Sequence, residues 1–224
     1  MELHNKSLVV ALVPQPRQMP PAPFEEQDLQ RTFFEISRSY PYQAYEKMIG
    51  GRGVFLRDSP EDFVELRPAL LQVQATMDGA NLLTAETAKD KAVWILKVAS
   101  KQLKVDAFLQ CAIQIVAHVG APGADPDAKT FVQERFMRDG LDPTVLGPDY
   151  FGGGVRFRSV AESGTAEDSL LIEPFIQDNK LIFLSHDVAR IGMPQPITDL
   201  DHVATWITEA FEFLAGPAMD LLEN

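Results

Sequence analysis

Two stretches about 100 positions apart repeat one another, and that repetition restricts the folds open to this chain more than any other feature. Gly50-Gly51-Arg52-Gly53-Val54-Phe55-Leu56-Arg57 matches Gly152-Gly153-Gly154-Val155-Arg156-Phe157-Arg158. Val64-Glu65-Leu66-Arg67-Pro68-Ala69-Leu70 then matches Leu170-Leu171-Ile172-Glu173-Pro174-Phe175-Ile176. A period of this size is that of one domain-sized unit. The chain is therefore expected to fold as two halves, residues 1–104 and 105–224, each a β-α-β-β-β-α unit and together one compact pseudo-two-fold body.

The local patterns agree with that order. Leu8 to Val13 is a short β-branched and aliphatic run stopped by prolines, which reads as a strand. Phe24 to Tyr40 carries apolar residues at Leu29, Phe33 and Ile36 and acids in its first turn, which reads as a helix. Short runs follow at Val54 to Arg57, Phe63 to Leu66 and Leu70 to Met77, separated by Gly, Pro and Asp-Ser-Pro breaks. Thr84 to Leu103 places Ala88, Ala92, Ile95, Ala99 and Leu103 on one face and is expected to turn its lysines to the other. The second half runs alike: a strand over Phe108 to Val119 and a helix over Asp127 to Arg138. Strands are expected at Val155 to Val160, Leu170 to Phe175 and Leu181 to Asp187, and a closing helix over Leu200 to Leu222, bent near Gly216-Pro217.

A lone half would leave its sheet edges and one helix stripe uncovered. The expected fold is thus α+β, a curved antiparallel sheet of about eight strands with helices packed on one face. This layout resembles the TATA-binding-protein-like and helix-grip arrangements. The run Ile172-Glu173-Pro174-Phe175-Ile176-Gln177-Asp178 before Leu181-Ile182-Phe183-Leu184, with Asp199-Leu200 opening the last helix, also resembles a sporadically distributed prokaryotic family. That resemblance covers the last quarter of the chain and implies the fold without an activity. The Arg-Tyr-containing middle strand typical of the family has no match here.

Charge bears on the partner. Twenty basic residues against 32 acidic ones give a formal net charge of −12, which repels phosphate backbones and anionic lipid at long range. Nucleic acid is not the expected partner, despite the likeness to a DNA-binding saddle. No run approaches the ~20 apolar residues a spanning helix needs, so no membrane partner is expected. The single Cys111 cannot form an internal disulfide, and a reducing cytoplasm is the expected setting.

No phosphate-binding loop, His-Glu-x-x-His run, paired-cysteine motif or Gly-x-Ser-x-Gly elbow is present. His4, His118, His186 and His202 are too dispersed to suggest a metal by spacing, and no metal or cofactor is expected. Cys111 and His118 lie seven apart on one strand and hence on opposite faces, which argues against a nucleophile-base pair. Arg57, Arg67, Arg156 and Arg158 are the candidate ligand-binding residues. They fall on matching strands, where guanidinium forks could receive an acidic peptide or another anion. The plainer expectation for them is a solvated sheet surface with cross-strand ion pairs, Glu65 and Glu173 being nearby. The leading expectation is a non-catalytic module that binds a protein, peptide or small ligand, with homo-oligomer contacts through open sheet edges. The alternative is an enzyme with a cavity between sheet and helices, drawing an acid or base from Glu65, Glu173, His118 or His186.

Overall fold

The computed structural model describes residues 1–19, 21–77, 83–123, 125–136, 153–196 and 200–223. Gly152, Asp199 and the last two positions of the expected helix to Arg138 lie outside them. Among the described residues nine strands form one antiparallel sheet: β1 (Leu3–Pro14), β2 (Ala44–Lys47), β3 (Val54–Arg57), β4 (Phe63–Arg67), β5 (Leu70–Thr76), β6 (Ala107–Gly120), β7 (Val155–Val160), β8 (Ala166–Pro174) and β9 (Leu181–Pro196). Their spatial order is β2-β3-β4-β5-β1-β6-β9-β8-β7, so β1 and β6 lie at the centre and β2 and β7 at the edges. The helices are α1 (Glu26–Ser39), α2 (Ala85–Gln102), α3 (Ala128–Phe136), α4 (Asp201–Phe213) and a last turn, α5 (Met219–Glu223).

The fold is α+β with a large antiparallel sheet, as expected, and it has one strand more than the sequence reading allows. That strand is β2, which gives the first half the order β-α-β-β-β-β-α. Ala44-Tyr45-Glu46-Lys47 lacks an apolar alternation because an edge strand buries little. Its helix-side residues instead reach α1: the Tyr45 hydroxyl donates to Glu26 at 3.1 Å, and Lys47 pairs with the same carboxylate at 3.1 Å.

Alternation in the central strands sorts the core. Leu8, Val10 and Leu12 of β1 are buried, as are Cys111, Ile113, Ile115 and Ala117 of β6; the residues alternating with them face the helix-free side. Strand β1 pairs with β6 through Val10↔Ile113 and with β5 through Val10↔Val73. Helices α2 and α4 cross the centre of the buried side and contact each other. Ala88, Ala92, Ile95 and Ala99 line the sheet-facing stripe of α2, and Val203, Ile207 and Ala210 that of α4. Small residues on these stripes let the helices approach the strands closely.

Helix α2 starts on a threonine pair. The Thr87 amide donates to the Thr84 hydroxyl at 3.2 Å, while the Thr87 hydroxyl donates to the Thr84 carbonyl at 3.1 Å. Thr87 thus ties down the first turn where a capping box would use an acid. Thr84→Ala is expected to cost about 1 kcal/mol, read as a melting temperature lower by roughly 2–4 °C. At the chain's end the expected bend is a π-helical turn over Leu214–Ala218 containing Pro217. Proline has no N–H and crowds the carbonyl four residues back, and a wider turn relieves both while the helix continues into α5.

Candidate functional site

The four arginines singled out in the sequence all lie on the helix-free face. Arg57 and Arg158 fall in one cross-sheet row that runs Arg57↔Phe63↔Gln74↔Val9↔Gln114↔Asp187↔Ser169↔Arg158. Seven strand spacings separate the two ends, on the order of 30 Å along the sheet. Arg57 and Arg67 therefore form one group and Arg156 and Arg158 another, without a common patch. Three of them are held by carboxylates: Arg57 Nε lies 3.0 Å from Glu46, Arg67 Nε 2.8 Å from Glu65, and Arg158 grips Glu167 through two bonds at 2.6 and 2.8 Å. Arg57 also rests on the Phe55 ring, 4.7 Å from its centroid. Between the groups a shallow depression of about 300 Å³ crosses Val9, Ala11, Ala112 and Ala189, edged by Gln114 donating to Asp187 at 2.8 Å.

The acid-base candidates do not converge. Glu65 is paired with Arg67, Glu173 sits on β8, and the His118 ring packs 4.2 Å from that of Phe175. Cys111 faces the helices and His118 the other side, as their odd spacing requires. Burial pushes the Cys111 thiol up to about 12, which keeps it protonated and unreactive.

His186 lines a pocket. It lies between α4 and the strands β7, β8 and β9, and encloses about 410 Å³. Phe157 from β7 and Trp206 and Phe213 from α4 supply aromatic walls, and Leu170 and Val188 an apolar floor. Polar groups enter from three strands and the helix: Ser159, Asp168, His186, Arg190 and Glu209. Arg190 donates to Asp168 at 2.8 Å and to the Ala189 carbonyl at 3.1 Å. The His186 ring is stacked on Phe213 with centroids 4.4 Å apart, and its Nδ1 lies 3.3 Å from the Ala210 carbonyl. A carbonyl can only accept, so Nδ1 carries the proton and Nε2 is left as an acceptor.

Burial holds His186 below its ordinary value of 6.5, against weaker opposing pulls from the Ala210 carbonyl, Asp168 and Asp187; Arg190 acts in the same direction as burial. The unfolded chain therefore takes up this proton first as pH falls. Stability is undiminished above the unfolded value and declines as pH drops through it toward the lower folded value. The difference between wild type and His186→Gln is expected to be constant above about pH 7 and to narrow as pH falls below it, because wild type alone carries this loss. Urea titrations at a series of pH values read this directly, and parallel curves for the two proteins would refute it.

Asp62, two residues before Val64 as Asp168 is before Leu170, is covered on the helix side. Lys91 of α2 reaches both Asp62 oxygens at 2.8 and 2.7 Å, and the Tyr42 hydroxyl donates to the same carboxylate at 3.0 Å. Lys91 and Tyr42 are buried, 6% and 3% exposed, so the sequence expectation that the α2 lysines face outward fails at this residue. A carboxylate two strands from the sheet edge is what draws the amine inward. Burial and the Asp62 charge drive the Tyr42 hydroxyl far above its ordinary value, so it remains a donor.

A larger trench of about 640 Å³ runs between the proline-rich loop and the turn from α2 to β6. Its cations are already matched, Arg17 by Asp106 at 2.5 Å and Lys104 by Asp28 at 2.7 Å, and its walls are mostly loop. The pocket beside α4 is instead built on strands and a helix, which fix side chains more tightly. Among the described residues no group of three or more His, Cys, Asp or Glu could hold a metal ion, and no helix is long and apolar enough to cross a membrane. No protein-family profile matches the chain and no curated protein matches it, so the functional reading rests on the geometry of the pocket.

Proposed function

We propose that this protein is a non-catalytic binding module made of two repeats, in which the pocket beside α4 receives a small ligand. The carrying observation is a contrast between halves. Tyr42 and Lys91 fill the space around Asp62, whereas around Asp168 there is a pocket of about 410 Å³ with Trp206 and Phe157 in its walls. That volume lies within the ~300–1,000 Å³ range of small-molecule sites, and apolar walls with a few convergent polar groups are their usual construction. The repeat reading draws on Gly53 and Gly154, which occupy alike places before β3 and β7, one against the Leu66 carbonyl and the other against that of Ile172. In this reading a duplicated scaffold keeps one copy sealed for stability and leaves the other open.

Native mass spectrometry of the purified protein, followed by denaturation, tests for a retained small molecule. Ser159→Trp, at an exposed edge position lining the pocket, is expected to fill the space and abolish retention. Trp94→Phe leaves Trp206 as the sole tryptophan, so its emission reports occupancy. If no small molecule is retained, and 1-anilinonaphthalene-8-sulfonate leaves Trp206 emission unchanged, the proposal is wrong.

A further inference from the structure

Resting on that reading, the pocket geometry also specifies a ligand class. We infer that it takes a neutral planar heterocycle presenting a hydrogen-bond donor beside an acceptor, the chemistry of a nucleobase edge. Three observations carry this. The polar end of the pocket is an Asp168–Arg190 pair, with Arg190 Nη1 on Asp168 Oδ1 at 2.8 Å. Such a pair sets an acceptor next to a donor fork, complementary to an N–H beside a ring nitrogen or carbonyl. Because each charge neutralises the other, the pair favours a neutral edge over a free anion; an anion would have to displace Asp168 to gain the guanidinium.

The remaining polar groups point the same way. Glu209 at the rim and the unprotonated Nε2 of His186 are acceptors, and the Ser159 hydroxyl can act either way. The negative charge of Glu209 disfavours carboxylate or phosphate ligands, and these acceptors suit amino-substituted rings. The walls are π-faces: Trp206 is half-buried, and Phe157 is 42% exposed, with Phe136 edge-on at 6.2 Å. A flat ring can lie against such faces whatever its substitution, and stacking of this kind contributes strongly to nucleobase binding.

Fluorescence titration of the Trp94→Phe protein with adenine, benzoate and 1-anilinonaphthalene-8-sulfonate separates the possibilities. Adenine is expected to bind at least tenfold more tightly than benzoate. Asp168→Asn replaces one acceptor by an amide and frees Arg190, so it is expected to weaken adenine about 10- to 100-fold and to strengthen benzoate. Phe157→Ala, at a position outside the core, is expected to weaken adenine roughly 5- to 100-fold without altering the melting temperature by more than a few degrees, and serves if Asp168→Asn does not fold. Benzoate binding more tightly than adenine, or adenine affinity indifferent to both substitutions, overturns the ligand class while leaving a small-ligand pocket in place. Failure of all three probes to reach Trp206 removes the pocket reading and this inference together.

Discussion

Asp62→Ala is expected to destabilise the protein by about 3–5 kcal/mol, because it strands the Lys91 ammonium in a site only 8% exposed. Lys91 lies near the Tyr40 and Tyr42 rings, 5.6 and 5.1 Å from their centroids. Removal of Asp62 also takes away the acceptor for Tyr42. Chemical denaturation checks the size of the loss, and a melting temperature lower by roughly 6–20 °C should accompany it. The double variant Asp62→Ala, Lys91→Met should recover much of it, since the cost arises from one uncompensated charge. A single substitution costing under about 1 kcal/mol would mean that the pair is solvated and that the first half is not sealed.

The second large effect is expected at the two glycines that begin the matched strands. A Cβ on Gly53 would stand 2.5 Å from the Leu66 carbonyl oxygen and 2.8 Å from Arg67 Cβ; one on Gly154 would stand 2.7 Å from Glu173 Cβ and 2.8 Å from the Ile172 carbonyl oxygen. Neither glycine has the positive φ of a left-handed residue, so the demand is for space. The atoms that would have to yield are carbonyl oxygens and Cβ atoms of β4 and β8, which move only with the backbone, unlike the end of a flexible side chain. Gly53→Ala and Gly154→Ala should each cost about 1–3 kcal/mol, the range for forcing extra volume into a packed region. Gly50→Ala and Gly51→Ala differ in kind: nothing lies within 4 Å of the added carbon, but φ values of 88° and 67° make both strained. A pair of melting curves for Gly154→Ala and wild type that superimpose would show that β7 and β8 separate easily at that edge.

Much of the fold was legible because its signals are short-range. Strands β3 and β7 stand at Val54–Arg57 and Val155–Val160 as read, since glycines precede them and each alternates in register with its neighbour. Val54 lies opposite Leu66 and Val155 opposite Ile172. Strand β2 was not legible, because its four residues are held by Arg57, Glu26 and strand pairing instead of by apolar burial. Strands β8 and β9 run longer than their apolar cores, to Ala166 and Pro196, since polar residues extend a ladder once a partner strand is alongside.

The site was less legible. Arg158, counted as a ligand-binding candidate, is bound to Glu167, a partner nine residues away that only the β7–β8 hairpin brings opposite. Asp168, Arg190 and Trp206 carried no motif, because they come from two strands and a helix and meet only in space. One signal was available: extending the Val64/Leu170 match back by two residues aligns Asp62 with Asp168 and marks a carboxylate on the helix side of both halves.

What the sequence determined by itself, then, was the order of elements and which residues of each strand turn inward, because side-chain period and turn chemistry act within a few residues. Only the tertiary structure decided that Lys91 turns inward to Asp62, that Asp168 meets Arg190, and that a pocket opens beside α4. Those outcomes depend on which side chains from distant segments compete for the same buried space, and no local pattern records that competition.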